Sequence, residues 1–233
     1  MRANADAAAT PHGHAGSVAP HLDLYWLPLG AGGCSVRLNG RVFEACAARL
    51  THRAPCDLYH SALEGVLPDV GPFVVEMTPV ARGDRRTRGA VVEGPVGARW
   101  AGRLRIFRYE VRRWPGGVIP DVAEAVESPH RLTDDQAIVQ RLWDLVPALP
   151  TPVWGRDELG AGDMWNSNSV IAWLLARSGL AAESIHPPEG GRAPGWSAGI
   201  DAARRPGAPI RRPALTAILD GPAGWRSGRT HRS

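Results

Sequence analysis

The sequence predicts an α+β fold, an antiparallel sheet packed against helices, with disordered termini. Three observations carry this. Short β-type segments follow one another, separated by Gly and Pro rather than by regular helices. Segments with helical apolar spacing have recognisable starts and stops. Both flanks lose that periodicity: residues 1–20 are rich in Ala, His and Gly, and residues 199–233 are basic and rich in Pro, Gly and Arg. A single domain is therefore expected over 21–198, within a chain of 233 residues that can bury one core.

Leu22–Leu29 reads as a strand, ended by Gly30-Ala31-Gly32-Gly33. That loop is not a dinucleotide fingerprint, because Ser35 stands where the third glycine is required and no βαβ alternation follows. Val42–Leu50 has helical spacing, with Val42, Cys46 and Leu50 on one side. Four strands are then expected: Leu58–Val66, Phe73–Pro79, Ala90–Val96 and Leu104–Trp114. The last alternates without a purely apolar face and reads as a long, partly exposed ribbon. Thr133-Asp134-Asp135-Gln136 has capping-box form and starts a helix running to about Val146 with two apolar stripes, stopped by Pro147 and Pro150. A final helix is expected from about Asn168 to Ser178, closed by Gly179 in a left-handed cap. Beyond Trp196 the composition predicts disorder.

The net charge of +4 comes from the C-terminal tail. Residues 201–233 carry seven arginines against Asp201 and Asp220, so the body of the chain is near neutral. All 27 basic residues are arginine, which reflects composition bias rather than a nucleic-acid surface, and no nucleic-acid partner is expected. Arg82-Gly83-Asp84-Arg85-Arg86-Thr87-Arg88 reads as a solvated loop. Three cysteines without C-x-x-C spacing argue against a zinc site or a disulfide framework. His12-x-His14 lacks a third ligand, and neither metal nor cofactor is expected. No run approaches the roughly 20 apolar residues of a membrane span. Residues 1–20 lack an apolar stretch of signal-peptide length, so a cytoplasmic setting is expected.

The chemistry-bearing stretch is Trp165-Asn166-Ser167-Asn168-Ser169-Val170, which leads into the apolar Ile171-Ala172-Trp173-Leu174-Leu175. A nucleophile at a helix start gains the positive end of the macrodipole, and free N–H groups there can receive an oxyanion. His60, on the first of the four strands, is the candidate base, and Glu76, one strand over, the candidate orienting group. Trp154, Trp165, Asn166 and Asn168 are candidate substrate-binding residues. The structural alternatives are as definite. Ser167 can be a helix N-cap, His60 a strand histidine without catalytic duty, Glu76 a partner for an arginine of the neighbouring ribbon, and Trp165 a core aromatic.

A strand histidine followed by Asn-Ser-Asn-Ser-Val entering an apolar helix resembles the circularly permuted papain-like proteins, the NlpC-like superfamily with its lecithin:retinol acyltransferase-like and PPPDE-like members. There histidine precedes cysteine in the chain; here Ser167 stands at the cysteine position. The resemblance spans about residues 55–180 and implies hydrolysis or acyl transfer at an amide, ester or thioester. Serine in place of a thiolate puts that activity in doubt, because a hydroxyl must lose its proton during attack. The alternatives are an inactive member of the fold that binds a small molecule or peptide in a cleft lined by Trp154, Trp165 and the Gly30–Gly33 loop, and a structural or interaction protein. Nothing in the sequence selects a particular partner or an oligomeric state.

Overall fold

The computed structural model describes residues 19–29, 56–80 and 89–205. Six strands form one sheet: β1 (His21–Pro28), β2 (Tyr59–Leu67), β3 (Gly71–Pro79), β4 (Ala90–Pro95), β5 (Arg108–Pro115) and β6 (Val126–Thr133). The order across the sheet is β4-β5-β3-β2-β1-β6, and every neighbouring pair is antiparallel. Three helices follow, α1 (Gln136–Leu145), α2 (Ser167–Ser178) and α3 (Trp196–Arg204). The fold is therefore α+β, as the sequence predicts. No helix among the described residues is long and apolar enough to cross a membrane. The Gly30–Gly33 loop, the expected helix Val42–Leu50, the Arg82–Arg88 cluster and the two tails beyond residues 19 and 205 lie outside the described residues.

Strand alternation sorts the side chains into two faces. Leu22, Leu24 and Trp26 of β1, Leu63 and Leu67 of β2, Phe73, Val75 and Met77 of β3, and Tyr109 and Val111 of β5 share the main core with the helices. The opposite face holds a smaller cluster, Leu27, Ala62, Val74 and Ile119. Helix α1 packs on the main face through Val139 and Leu142, and Trp143 meets the Phe73 ring edge-on at 4.9 Å. In α2 every residue from Ser167 to Leu175 is buried. That leaves it no solvent face in its first two turns, as its unbroken apolar run requires.

Four elements differ from expectation. Strand β5 begins at Arg108, and residues 100–107 form two short 3-10 turns instead of extending the ribbon. Leu104, Ile106 and Phe107 are exposed there. Strand β6 has no regular apolar alternation, and Pro129 interrupts it. It lies on the sheet edge, where a missing donor is tolerated. At its register shift the Ser128 hydroxyl accepts from Trp26 N at 2.9 Å, replacing a ladder bond. The α1 cap is Asp135, whose carboxylate accepts from Ala137 N; Thr133 instead accepts from Asp135 N. Finally, α3 crosses residue 198, where the domain was expected to end, and continues to Arg204. Its first residue is fixed by aromatic packing: Trp196 lies 5.2 Å from the Trp26 ring and donates Nε1 to Ala182 O.

Helix α3 approaches α2 backbone to backbone, and glycine permits this. A Cβ on Gly199 would sit 2.2 Å from Ser169 O and 2.8 Å from the Ala172 Cβ. Gly195, at φ +88°, would place one 2.3 Å from Asn166 Oδ1. Gly199→Ala is expected to cost roughly 1–3 kcal/mol, because the obstruction is helix backbone rather than a movable side chain. Urea unfolding followed by far-UV circular dichroism measures it.

Candidate functional site

The sheet parts between β2 and β3. Their ladder runs only from Leu67↔Gly71 to Leu63↔Val75. Beyond it, β2 continues with β1 through His60↔Leu27 and Tyr59↔Pro28, while β3 continues with β5 through Glu76↔Arg112 to Pro79↔Tyr109. A central strand cannot leave its backbone groups unpaired there. The start of α2 and the loop before α3 take the vacated place. Tyr59 N donates to Arg192 O at 2.9 Å, Arg192 N donates to Asp57 O at 2.9 Å, and Leu58 and Arg192 form a parallel bridge.

Asn168 joins these parts. Its Nδ2 donates to Tyr59 O on β2 and to Pro194 O, both at 2.9 Å, and its Oδ1 accepts from the Ser61 hydroxyl at 2.9 Å. Asn166 is the helix N-cap: its Oδ1 accepts from Asn168 N at 2.9 Å and Ser169 N at 3.3 Å, and its Nδ2 donates to Pro194 O. Ser169 completes the capping box by accepting from Asn166 N, and donates to Gly195 O at 2.7 Å. Asp163 holds the same loop through Gly195 N at 2.7 Å and the Ser197 hydroxyl at 2.9 Å. Asn-Ser-Asn-Ser is thus a polar knot that plugs the sheet and ties down α3. Ser167 is the first helical residue rather than the cap. It is buried, and its hydroxyl makes no hydrogen bond among the described residues.

The candidate triad is not assembled. His60 pairs with Leu27 of the second-face cluster, whereas its neighbour Ser61 reaches α2. His60 and Ser167 therefore lie on opposite faces of the sheet. The His60 imidazole has no hydrogen-bond partner among the described residues. Burial lowers its pKa from the usual 6.5 to about 4, against a smaller raising effect of Asp121. A neutral imidazole that far below neutral pH is a weak base. Glu76 is on the second face with Val74 and accepts from Arg112 Nη1 at 3.1 Å; Arg112 Nε also donates to Glu110 at 2.9 Å. Burial holds the Glu76 carboxyl above its ordinary value, with Arg112 opposing. Glu76 is thus an arginine's partner rather than the orienter of an imidazole. Of the N–H groups around Ser167 and Asn168 that were expected to receive an oxyanion, that of Asn168 is occupied by Asn166 Oδ1.

Trp154 and Trp165 serve packing rather than a cleft. Trp165 is 1% exposed, within the main core. Trp154 bridges Val96 and Trp165, and its ring stands edge-on to Tyr109 at 6.0 Å. Arg112 is the arginine of the neighbouring ribbon that the sequence offered as a partner for Glu76; the sequence reading missed that Glu110 shares it, though Glu110 and Arg112 alternate with the inward Tyr109 and Val111. That reading also missed Gly195 and Gly199, whose four-residue spacing signals close helix approach. No group of metal-binding side chains occurs among the described residues. Comparison with family models, with curated proteins and with solved structures finds no match for this chain.

Asn168→Ala is expected to cost about 2–3 kcal/mol, since it strands the Tyr59 carbonyl and the Ser61 hydroxyl in a buried site, while Pro194 O keeps Asn166 Nδ2. Ser167→Ala should stay within about 0.5 kcal/mol of wild type; urea titration of both variants separates the two roles. His60 also generates a pH dependence. Its folded-state pKa is depressed, so the unfolded chain binds the proton first. Its contribution is fully present above pH 6.5 and is lost as pH falls towards 4. His60→Gln is expected to flatten the stability profile across that window, as read by urea unfolding at stepped pH.

Proposed function

We propose that this chain is a non-catalytic binding domain, in which the Asn166–Ser169 motif serves architecture rather than bond cleavage. The observation that carries the reading is the placement of His60 and Ser167 on opposite faces of the sheet. A base must come within hydrogen-bond reach of the proton it removes, and a strand side chain cannot change faces without a one-residue register slip. Occupation of Asn168 N by the Asn166 cap supports the same reading. The ligand class expected from the sequence is a small molecule or peptide. Cysteines without paired spacing agree with a reducing, cytoplasmic setting.

One observation favours the alternative of a hydrolase or acyltransferase: the Ser167 hydroxyl, at a helix start, has no hydrogen bond among the described residues. A fluorophosphonate probe applied to the full chain and to its Ser167→Ala and His60→Ala variants decides between the two. No labelling of any of the three is the expected result. Labelling of wild type that disappears in Ser167→Ala would establish the serine as a nucleophile and overturn the binding-domain reading.

A further inference from the structure

Between β4 and β5 the chain leaves the edge of the sheet for two 3-10 turns, Trp100–Arg103 and Arg105–Phe107. Residues 98–108 read Ala-Arg-Trp-Ala-Gly-Arg-Leu-Arg-Ile-Phe-Arg, with four arginines and no acid. Trp100 is 72% exposed, Leu104 56%, Ile106 79% and Phe107 40%, while Ala101 beneath them is buried. Four large, exposed apolar side chains within eight positions are a density of the kind that marks an interaction surface. The segment is firmly built. Leu104 N donates to Ala101 O at 2.9 Å, Phe107 N to Leu104 O at 3.0 Å and Val96 N to Phe107 O at 2.8 Å. Arg156 donates to Gly97 O at 2.8 Å, and Arg99 pairs with Glu158 at 2.7 Å.

Beside these turns lies an open cavity of about 420 Å³, whose lining includes Arg99, Arg103, Arg108 and Glu93 together with Gly94, Pro95 and Gly102. Arg108 pairs with Glu93 at 3.2 Å, as Arg99 does with Glu158. Arg103 has no ion pair among the described residues. The apolar side chains thus stand in a basic surround that includes an uncompensated guanidinium.

We propose that residues 98–108 dock the protein on an anionic phospholipid surface. Trp100, Leu104, Ile106 and Phe107 enter the boundary between headgroups and acyl chains, and Arg103 meets lipid phosphate at the adjacent cavity. Charge complementarity selects an anionic partner. The shape selects a bilayer, because the apolar groups project from turns instead of lining a groove, and a fluid interface receives such projections without a preformed hole. Apolar and aromatic groups flanked by arginine suit that boundary. The inference goes beyond the binding-domain reading and does not depend on whether Ser167 reacts.

The test is co-sedimentation of the full chain with phosphatidylcholine vesicles, with and without phosphatidylglycerol. Binding to the phosphatidylglycerol vesicles alone is expected, weakened about tenfold or more in the Trp100→Ser/Ile106→Ser double variant and weakened also by Arg103→Gln. Because these side chains are exposed, circular dichroism and urea midpoints should match wild type. The arginine-rich C-terminal tail can attract anionic vesicles by itself, so binding indifferent to the double variant overturns the proposal. Absence of vesicle binding overturns it too, as does a dimer that the double variant dissociates without any vesicle affinity.

Discussion

The structure depends on one side-chain amide. Asn168 stands where β2 and β3 separate and bonds to β2 through Tyr59 and Ser61, and to the loop before α3 through Pro194. Sheets tolerate a parting of central strands only when something else satisfies the exposed backbone. Here a helix start and a loop do so together. The same amide therefore sets where α2 enters, where residues 192–195 lie and how α3 is presented. An asparagine suits the post because it donates and accepts at once, whereas a serine or an aspartate could not serve both carbonyls and the Ser61 hydroxyl.

The two faces of the sheet follow different economies of interaction. The helix face is held mainly by apolar packing, with a polar knot at the α2 start and Arg113 donating to Trp143 O over the Trp143 ring. The other face places Glu76 and Glu110 on a single Arg112, beside the small apolar cluster under Ile119. A buried guanidinium shared by two carboxylates is a specificity device more than a source of stability, since desolvation consumes most of the attraction. It fixes the register of β3 against β5, because a one-residue slip would leave the charges unpartnered among apolar side chains.

Most of the fold was legible in the sequence for a simple reason: alternation and helical spacing record burial directly. Strands β1 to β4 and helix α2, with its Gly179 cap, follow from that pattern. Failures occurred where burial was not the organising force. The alternating Leu104–Phe107 stretch mimics a strand but is exposed, and β6 is held by edge pairing and by the Ser128 hydroxyl rather than by an apolar face. Helix α3 was hidden because its docking on α2 uses glycines, which composition alone reads as disorder. The site was legible as a place, but its hydrogen-bonding was not. Asn-Ser-Asn-Ser at a helix start looks the same whether its polar atoms await a substrate or hold a loop; only the partners of Asn166, Asn168 and Ser169 distinguish the two. His60 was misassigned because strand position does not reveal which face a residue takes until the register is known.

The pairing of Leu58 with Arg192 has a consequence for how the chain comes to be folded. Two segments separated by most of the domain complete one another's backbone bonding. Such a long-range closure is slow to find and cannot form early in synthesis. During translation the β2 edge stays open through the making of every strand and of α1, and is sealed only when residues 192–195 leave the ribosome. The nascent sheet thus spends nearly the whole of its synthesis with an unpaired central edge, the state in which strands recruit foreign partners. The latch that ends that exposure is made almost last, ahead only of α3.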